Sequence, residues 1–347
     1  DFSEADAWLE DFVATEELFH GASMAIVERG KGVIHRSYFG DHTADTVVQL
    51  ASTSKVPSVM VLMALDEDDD NVDFDIRAPI ANYLPWEGVW DPAITTELLV
   101  ANRSGLPGLR YVFEQQADYL AHGCQFFPIG NLLDCVETLY TTPLPNLPST
   151  PADTAFDYGG SQWQLSGGVA ELVGGGTWNQ LWDQYLAEPC GLEIATYGNM
   201  VAAPGDWSGN PGDLIGRENP SIEAGLISDL DDYAKIVSIH VEDGVCGDQR
   251  VLSPEGIAFM REERTLATAD AWGYGMGWWT IPPKENGGIY LYVDPGLYGS
   301  VSWIDVERGY GGVVLFEEYT AQDARRGSQG VINQMIPLIE QAIDAVR

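Results

Sequence analysis

At 347 residues the chain is long enough for a large core and two lobes, and its 45% hydrophobic and 11% aromatic content suits a folded protein. With 53 acidic and 17 basic residues the formal charge is −36, which excludes the basic surface that nucleic acid or an anionic membrane face requires. No apolar run reaches the ~18 residues of a membrane span, so membrane insertion is not expected.

The acidity reads as a solvated coat that keeps the chain soluble, or as adaptation to a saline setting in which salt screens self-repulsion. Only four lysines are present: Lys31, Lys55, Lys235 and Lys284. Cys124, Cys135, Cys190 and Cys246 form no Cys-x-x-Cys pair and have no histidine at zinc-ligand spacing, so no metal site is expected. They could stay as buried thiols or form two disulfides, with Cys124–Cys135 the most local pairing. The first residue is Asp1 rather than Met, which reads as a mature or trimmed form. An extracellular or periplasmic location is the matching expectation.

In chain order, Asp6 to Phe19 has the spacing of an amphipathic helix. Ala22–Glu28 and Val33–Phe39 are strand-like and separated by Arg29-Gly30-Lys31-Gly32, a hairpin signal. Val47–Leu50 is short and apolar and leads into Ser52-Thr53-Ser54-Lys55, where a further helix begins. Pro57 is tolerated in its first turn, because the first N–H groups lack intrahelical partners. The acidic run Asp66 to Asn71 lacks the glycine and distal glutamate of a calcium loop and reads as a solvated turn. From Ala78 to about Gly216 loops and helices dominate. Thr141 to Pro151 reads as a proline-rich surface loop, and Gln162–Val173 and Trp178–Leu186 as helices. Another helix follows Asp229 through Ile239. Strand patterns return at Gly277–Ile281, Ile289–Val293, Gly299–Asp305 and Gly312–Glu317, and a final helix covers Gln329–Val346.

The simplest packing is an α/β (α+β) two-lobed fold. Residues 1–55 and 217–347 form a lobe with one antiparallel sheet flanked by the terminal helices. Residues 56–216 form a mainly helical lobe. Ser52 falls at the junction, a favoured place for a small-molecule site.

The chemistry starts from Ser52 and Lys55. Three residues apart on a helix, they share a face, so the amine can hold the serine alkoxide or manage its proton. A Ser–His–Asp hydrolase would show Gly-x-Ser-x-Gly, and Gly159-Gly160-Ser161-Gln162-Trp163 fails at its last position. His20, His35, His42, His122 and His240 are scattered, and no Gly-rich phosphate loop precedes a helix, so no cofactor is expected. The base must be something else. Tyr158, in Phe156-Asp157-Tyr158-Gly159-Gly160, can serve if Lys55 lowers its phenol pKa from the usual ~10.

These residues, with Ile94-Thr95-Thr96-Glu97-Leu98-Leu99, Ser104-Gly105-Leu106-Pro107, Ala224-Gly225-Leu226-Ile227-Ser228 and Gly273-Tyr274-Gly275-Met276-Gly277-Trp278, occur in an order that resembles the serine β-lactamase-like superfamily. That group includes class C β-lactamases, DD-peptidases of the penicillin-binding type and family VIII esterases. The resemblance implies the two-lobed fold, with Ser52 as acylated nucleophile and Lys55 and Tyr158 sharing general-base duty. It also implies an oxyanion hole from the backbone N–H groups of Ser52 and Leu297.

Two departures bear on substrate. Gly160 stands where the second motif, Tyr-x-Asn, usually has its asparagine. Asp294-Pro295-Gly296 stands where the third motif usually has Lys-Thr-Gly or His-x-Gly, so Asp294 is expected to repel a substrate carboxylate or to attract an ammonium. Gly160, Asp294, Gly296, Tyr298 and Trp272 are the expected substrate-binding residues, and one or two of Trp163, Trp272, Trp278 and Trp279 are expected to wall an acyl pocket. The expected activity is hydrolysis of carboxylic esters. Amide hydrolysis on the same machinery and an idle binding scaffold are the alternatives.

Overall fold

Alternation of apolar side chains along the Gly21–Glu28 strand sets the layering. Ala22, Met24 and Ile26 face one core, and Ala25 and Val27 face another. The Tyr310–Glu317 strand repeats the split, with Val314 and Phe316 on the first side and Val313 and Leu315 on the second. A sheet buried on both faces must be covered twice. The computed structural model shows how this is done. It describes residues 1–16, 19–203, 205, 207–265, 272–281, 291–318 and 321–346, with only the backbone for 321–325.

Among the described residues the main sheet has seven antiparallel strands, in the spatial order Gly32–Gly40, Gly21–Glu28, Tyr310–Glu317, Gly299–Asp305, Leu291–Pro295, Trp279–Ile281 and Gly273–Tyr274. The amino-terminal hairpin thus joins strands from the far end of the chain. The helices Ser3–Thr15 and Ile336–Asp344 pack on the outer face through Leu9, Val13, Ile336 and Ile339. The Leu230–Val241 helix lies against the inner face, its first turn capped by the Asp229 side chain, which accepts from the Asp232 N–H at 2.9 Å. Beyond it lie the helices Lys55–Asp66 and Ser161–Gly174, the latter ending at Gly175 in the left-handed conformation (φ 72°). Every residue from Lys55 to Leu65 is buried, as befits a helix apolar all round.

Some boundaries differ from expectation. The first helix runs Ser3–Thr15, and Phe19 lies beyond it yet still packs on Phe316, ring centroids 5.0 Å apart. Gly277 takes a φ of 84°, which an extended strand cannot accommodate, so pairing begins at Trp279. The strand expected over Ile289–Val293 runs Leu291–Pro295, and 289–290 lie outside the described residues. Of the two cysteine readings, the disulfide one holds: Cys124 pairs with Cys135 and Cys190 with Cys246.

Ile26 is fully buried between the sheet and the terminal helices. Ile26→Ala should therefore destabilise the fold by about 2–5 kcal/mol, read as a lower midpoint in urea unfolding followed by tryptophan fluorescence.

Candidate active site

Ser52 lies in a one-turn 3₁₀ segment, Ala51–Ser54, that runs directly into the Lys55–Asp66 helix. The preceding residue, Ala51, has a φ of 48°, a left-handed conformation that costs a non-glycine residue about 1–2 kcal/mol. The surroundings hold it there. Leu50 N–H donates to Leu226 O at 3.0 Å, Leu226 N–H donates to Ser54 Oγ at 3.0 Å, and Tyr233 O–H donates to Thr53 O at 2.8 Å.

The helix brings Lys55 Nζ to 3.1 Å from Ser52 Oγ. Lys55 is completely buried, and its ammonium also donates to Glu223 O at 3.2 Å and pairs with Glu223 Oε2 at 3.1 Å. Burial alone would pull its pKa down. The Tyr158 oxygen, the Glu223 carboxylate and Asp294 more than reverse this, leaving it above the ordinary lysine value.

Tyr158 completes the set. Its ring lies 4.6 Å from Lys55 Nζ, centroid to nitrogen, and its hydroxyl meets the Ser52 side chain. Asn102 positions the segment: its Oδ1 accepts from Gly159 N–H at 2.8 Å and from Trp163 Nε1–H at 2.9 Å, while its backbone O accepts from Asp157 N–H at 2.9 Å. Tyr274 and Trp279 wedge the phenol ring at centroid distances of 5.8 and 5.2 Å. The expectation that Lys55 lowers the phenol pKa is corrected by burial, which pushes it up. Lys55 and the Ser52 hydroxyl oppose that push, Asp294 and Glu223 add to it, and the outcome is a raised pKa.

The Leu291–Pro295 and Gly299–Asp305 strands form the hairpin beside the Ser52 turn. Thr53 Oγ1 donates to Asp294 O at 3.2 Å and Ser300 O at 3.3 Å, tying this hairpin to the serine turn. Gly296 permits the approach, since a Cβ there would fall 2.3 Å from Leu50 O and 2.6 Å from Thr53 Oγ1. The hairpin closes through Gly296 N–H to Ser300 O and Gly299 N–H to Gly296 O, and Leu297 N–H is in neither bond. That N–H and the one of Ser52 are the expected oxyanion donors.

Above Ser52 opens a cleft of about 810 Å³. Phe113, Phe156, Trp272 and Trp279 give it aromatic walls, Leu109, Leu297 and Ile332 add aliphatic surface, and Arg110, Glu114 and Asp157 form its polar side. Of the expected substrate contacts, Gly296, Leu297 and Trp272 line this cleft, with Trp279 beside them; Trp163 and Trp278 are core. Gly160, Tyr298 and Asp294 are buried and do not line it.

Asp294 is the largest correction. Val293 faces the outer core with its partner Trp303, so by strand alternation Asp294 and its partner Ser302 face inward. Its carboxyl is fully buried, with the Val56 N–H as its backbone neighbour. Burial drives its pKa well above the ordinary carboxylate value, against the pull of Lys55 and of the Val56 N–H, and its inward-facing side chain does not reach the cleft to repel or attract a substrate charge.

Glu223, Asn102 and Arg110 were not anticipated from the sequence. Glu223 directly precedes the Ala224-Gly225-Leu226 segment, and Asn102 precedes Ser104 by two residues, so proximity to those segments was the available signal. Arg110 gave none.

Comparison with known proteins places these observations in context. The family model described as Beta-lactamase matches residues 5–332. Penicillin-binding protein 4 of Amycolatopsis lactamdurans is 26% identical over 302 residues, covering 78% of this chain and 74% of that protein. Among solved structures, EstCE1, a hydrolase with promiscuous acyltransferase activity, superposes with a TM-score of 0.77 at 18% identity, covering 96% of this chain and 97% of its own. The D-amino acid amidase from Ochrobactrum anthropi SV3 superposes with a TM-score of 0.71 at 15% identity over 99% of both chains.

Two outcomes test this geometry. Gly296→Ala should push the hairpin off the serine turn and lower kcat at least about 100-fold, the size of a lost oxyanion donor, with the fold retained by circular dichroism. For Asp294, the raised folded-state pKa means that its stabilising contribution is complete below the unfolded pKa and is lost as pH rises toward the folded one. Asp294→Asn should therefore match the wild type in thermal midpoint near pH ~4 and exceed it near pH ~8.

Proposed function

Because the chain belongs to the Beta-lactamase family, we propose that it is a serine hydrolase that cleaves carboxylic esters through an acyl-Ser52 intermediate. The observation that carries this reading is the contact of Ser52 Oγ with Lys55 Nζ at 3.1 Å on the floor of an aromatic-walled cleft. Ser52 Oγ attacks the ester carbonyl, and its proton passes into the Lys55–Tyr158 pair. The Ser52 and Leu297 N–H groups receive the developing oxyanion, and the phenol protonates the departing alcohol. Water then repeats the sequence on the acyl-enzyme.

The ester preference rests on the cleft. Its walls are largely apolar, and the buried Gly160 offers no side-chain amide for an acylamino group. No lysine or histidine occupies the third-motif position, where Asp294 stands buried. A neutral acyl group packed on Phe156, Trp272 and Trp279 fits that surface.

A second reading, hydrolysis of amino-acid amides, draws support from Glu114 and Asp157, two carboxylates on the polar side that can meet a substrate ammonium. The likeness to an amidase points the same way. The two disulfides suit an oxidising compartment, so we place the protein in an extracellular or periplasmic setting, with small-molecule substrates as its partners.

Hydrolysis of a p-nitrophenyl ester should show a burst, with the acyl mass on the Ser52 peptide, and Ser52→Ala should abolish both. Full turnover by Ser52→Ala would overturn the assignment. The matched p-nitroanilide should be turned over at least about 100-fold more slowly, and equal rates would favour the amide reading.

A further inference from the structure

Glu223 is a buried acid in direct contact with the catalytic lysine, and the second motif is built around it. Its Oε1 and Oε2 accept from Gly160 N–H at 3.1 and 3.2 Å, and Oε2 lies 3.1 Å from Lys55 Nζ. A Cβ on Gly159 would fall 2.6 Å from the same Oε2. Gly159 and Gly160 take φ values of 72° and 87°. These are conformations glycine adopts freely, and they bring the backbone up to the carboxylate. Gly159 thus leaves room for the carboxylate and for Leu109, and Gly160 offers it a backbone N–H.

Building on the serine-hydrolase reading, we propose a role for Glu223 in acylation: its carboxylate holds Lys55 against Ser52 and stores a proton. Three heavy atoms define the route, Ser52 Oγ to Lys55 Nζ at 3.1 Å and Lys55 Nζ to Glu223 Oε2 at 3.1 Å. As Ser52 Oγ bonds to the ester carbon, Lys55 transfers one ammonium proton to Glu223 Oε2 and takes the serine hydroxyl proton. Lys55 thus stays an ammonium, Glu223 becomes a carboxylic acid, and the negative charge moves to the oxyanion. When the C–O bond to the alcohol breaks, Tyr158 gives its proton to the leaving oxygen, Lys55 reprotonates Tyr158, and Glu223 returns its proton to Lys55. Atoms and charge balance without an outside base.

Glu223 touches no substrate, so it is a positioning residue that acts through Lys55. Glu223→Gln keeps acceptor and shape but cannot store the proton. It should lower kcat for a p-nitrophenyl ester about 100-fold or more and leave KM within about threefold. Glu223→Asp should recover part of kcat. In the wild type, a proton inventory in H2O–D2O mixtures should bow, because more than one proton is in flight. A linear inventory, or wild-type kcat in Glu223→Gln, would overturn the proposal. Fluorophosphonate labelling separates the two levels. Labelling of Ser52 in the wild type with an unchanged rate in Glu223→Gln removes the role of Glu223 alone, whereas no labelling of the wild type removes the serine-hydrolase reading and this role with it.

Discussion

A lysine ammonium with no exposure to solvent sits at the centre of this molecule. Removing such a group from water is penalised by several kcal/mol, so it persists only where neighbours return that energy through charge and hydrogen bonds. The Glu223 carboxylate, the Glu223 carbonyl and Ser52 Oγ surround Lys55 Nζ, with the Tyr158 and Trp163 rings at centroid distances of 4.6 and 5.3 Å. Ser52 lies one turn away, Tyr158 and Trp163 frame the start of the Ser161–Gly174 helix, and Glu223 precedes the Leu226–Ser228 strand, so the ammonium is satisfied only where these segments meet.

The sheet serves the site through what the Leu291–Pro295 and Gly299–Asp305 hairpin holds in place. Thr53 bonds to both strands of that hairpin, and Gly296 removes the Cβ that would keep them apart. The distance between nucleophile and candidate oxyanion donor is thus set by backbone packing rather than by side chains free to rotate, the kind of rigidity that electrostatic preorganisation requires. The strained φ at Ala51 belongs to the same arrangement, since it turns the chain sharply from the strand Val48–Gln49 into the serine turn.

Much of the architecture could be read from sequence because it is written in local periods. The alternation in Gly21–Glu28 and the apolar run after Lys55 marked a strand and a buried helix, and the order of segments pointed to the fold. Ser52 and Lys55 were readable because one helical turn relates them, and Tyr158 because it immediately precedes a helix. Asp294 was misread for a physical reason. Its neighbours in sequence line the cleft, but strand parity turns its own side chain inward, and parity depends on which face Val293 takes. Glu223 was invisible for the complementary reason: nothing within its own segment indicates that a carboxylate there reaches a lysine 168 residues away. Burial, which no local pattern reports, also reversed the expected shift of the phenol.

The backbone after Tyr158 also limits which side chain can stand at position 160. A side chain restored at position 160 would start from a backbone at φ 87°, with its Cβ 2.6 Å from the Tyr119 hydroxyl. That hydroxyl is itself held by Ser161 N–H at 2.9 Å and by the Gln125 side chain at 3.3 Å. A side chain at position 160 would therefore meet a buried, hydrogen-bonded hydroxyl before it met the cleft, so glycine there is the residue that Tyr119 leaves room for.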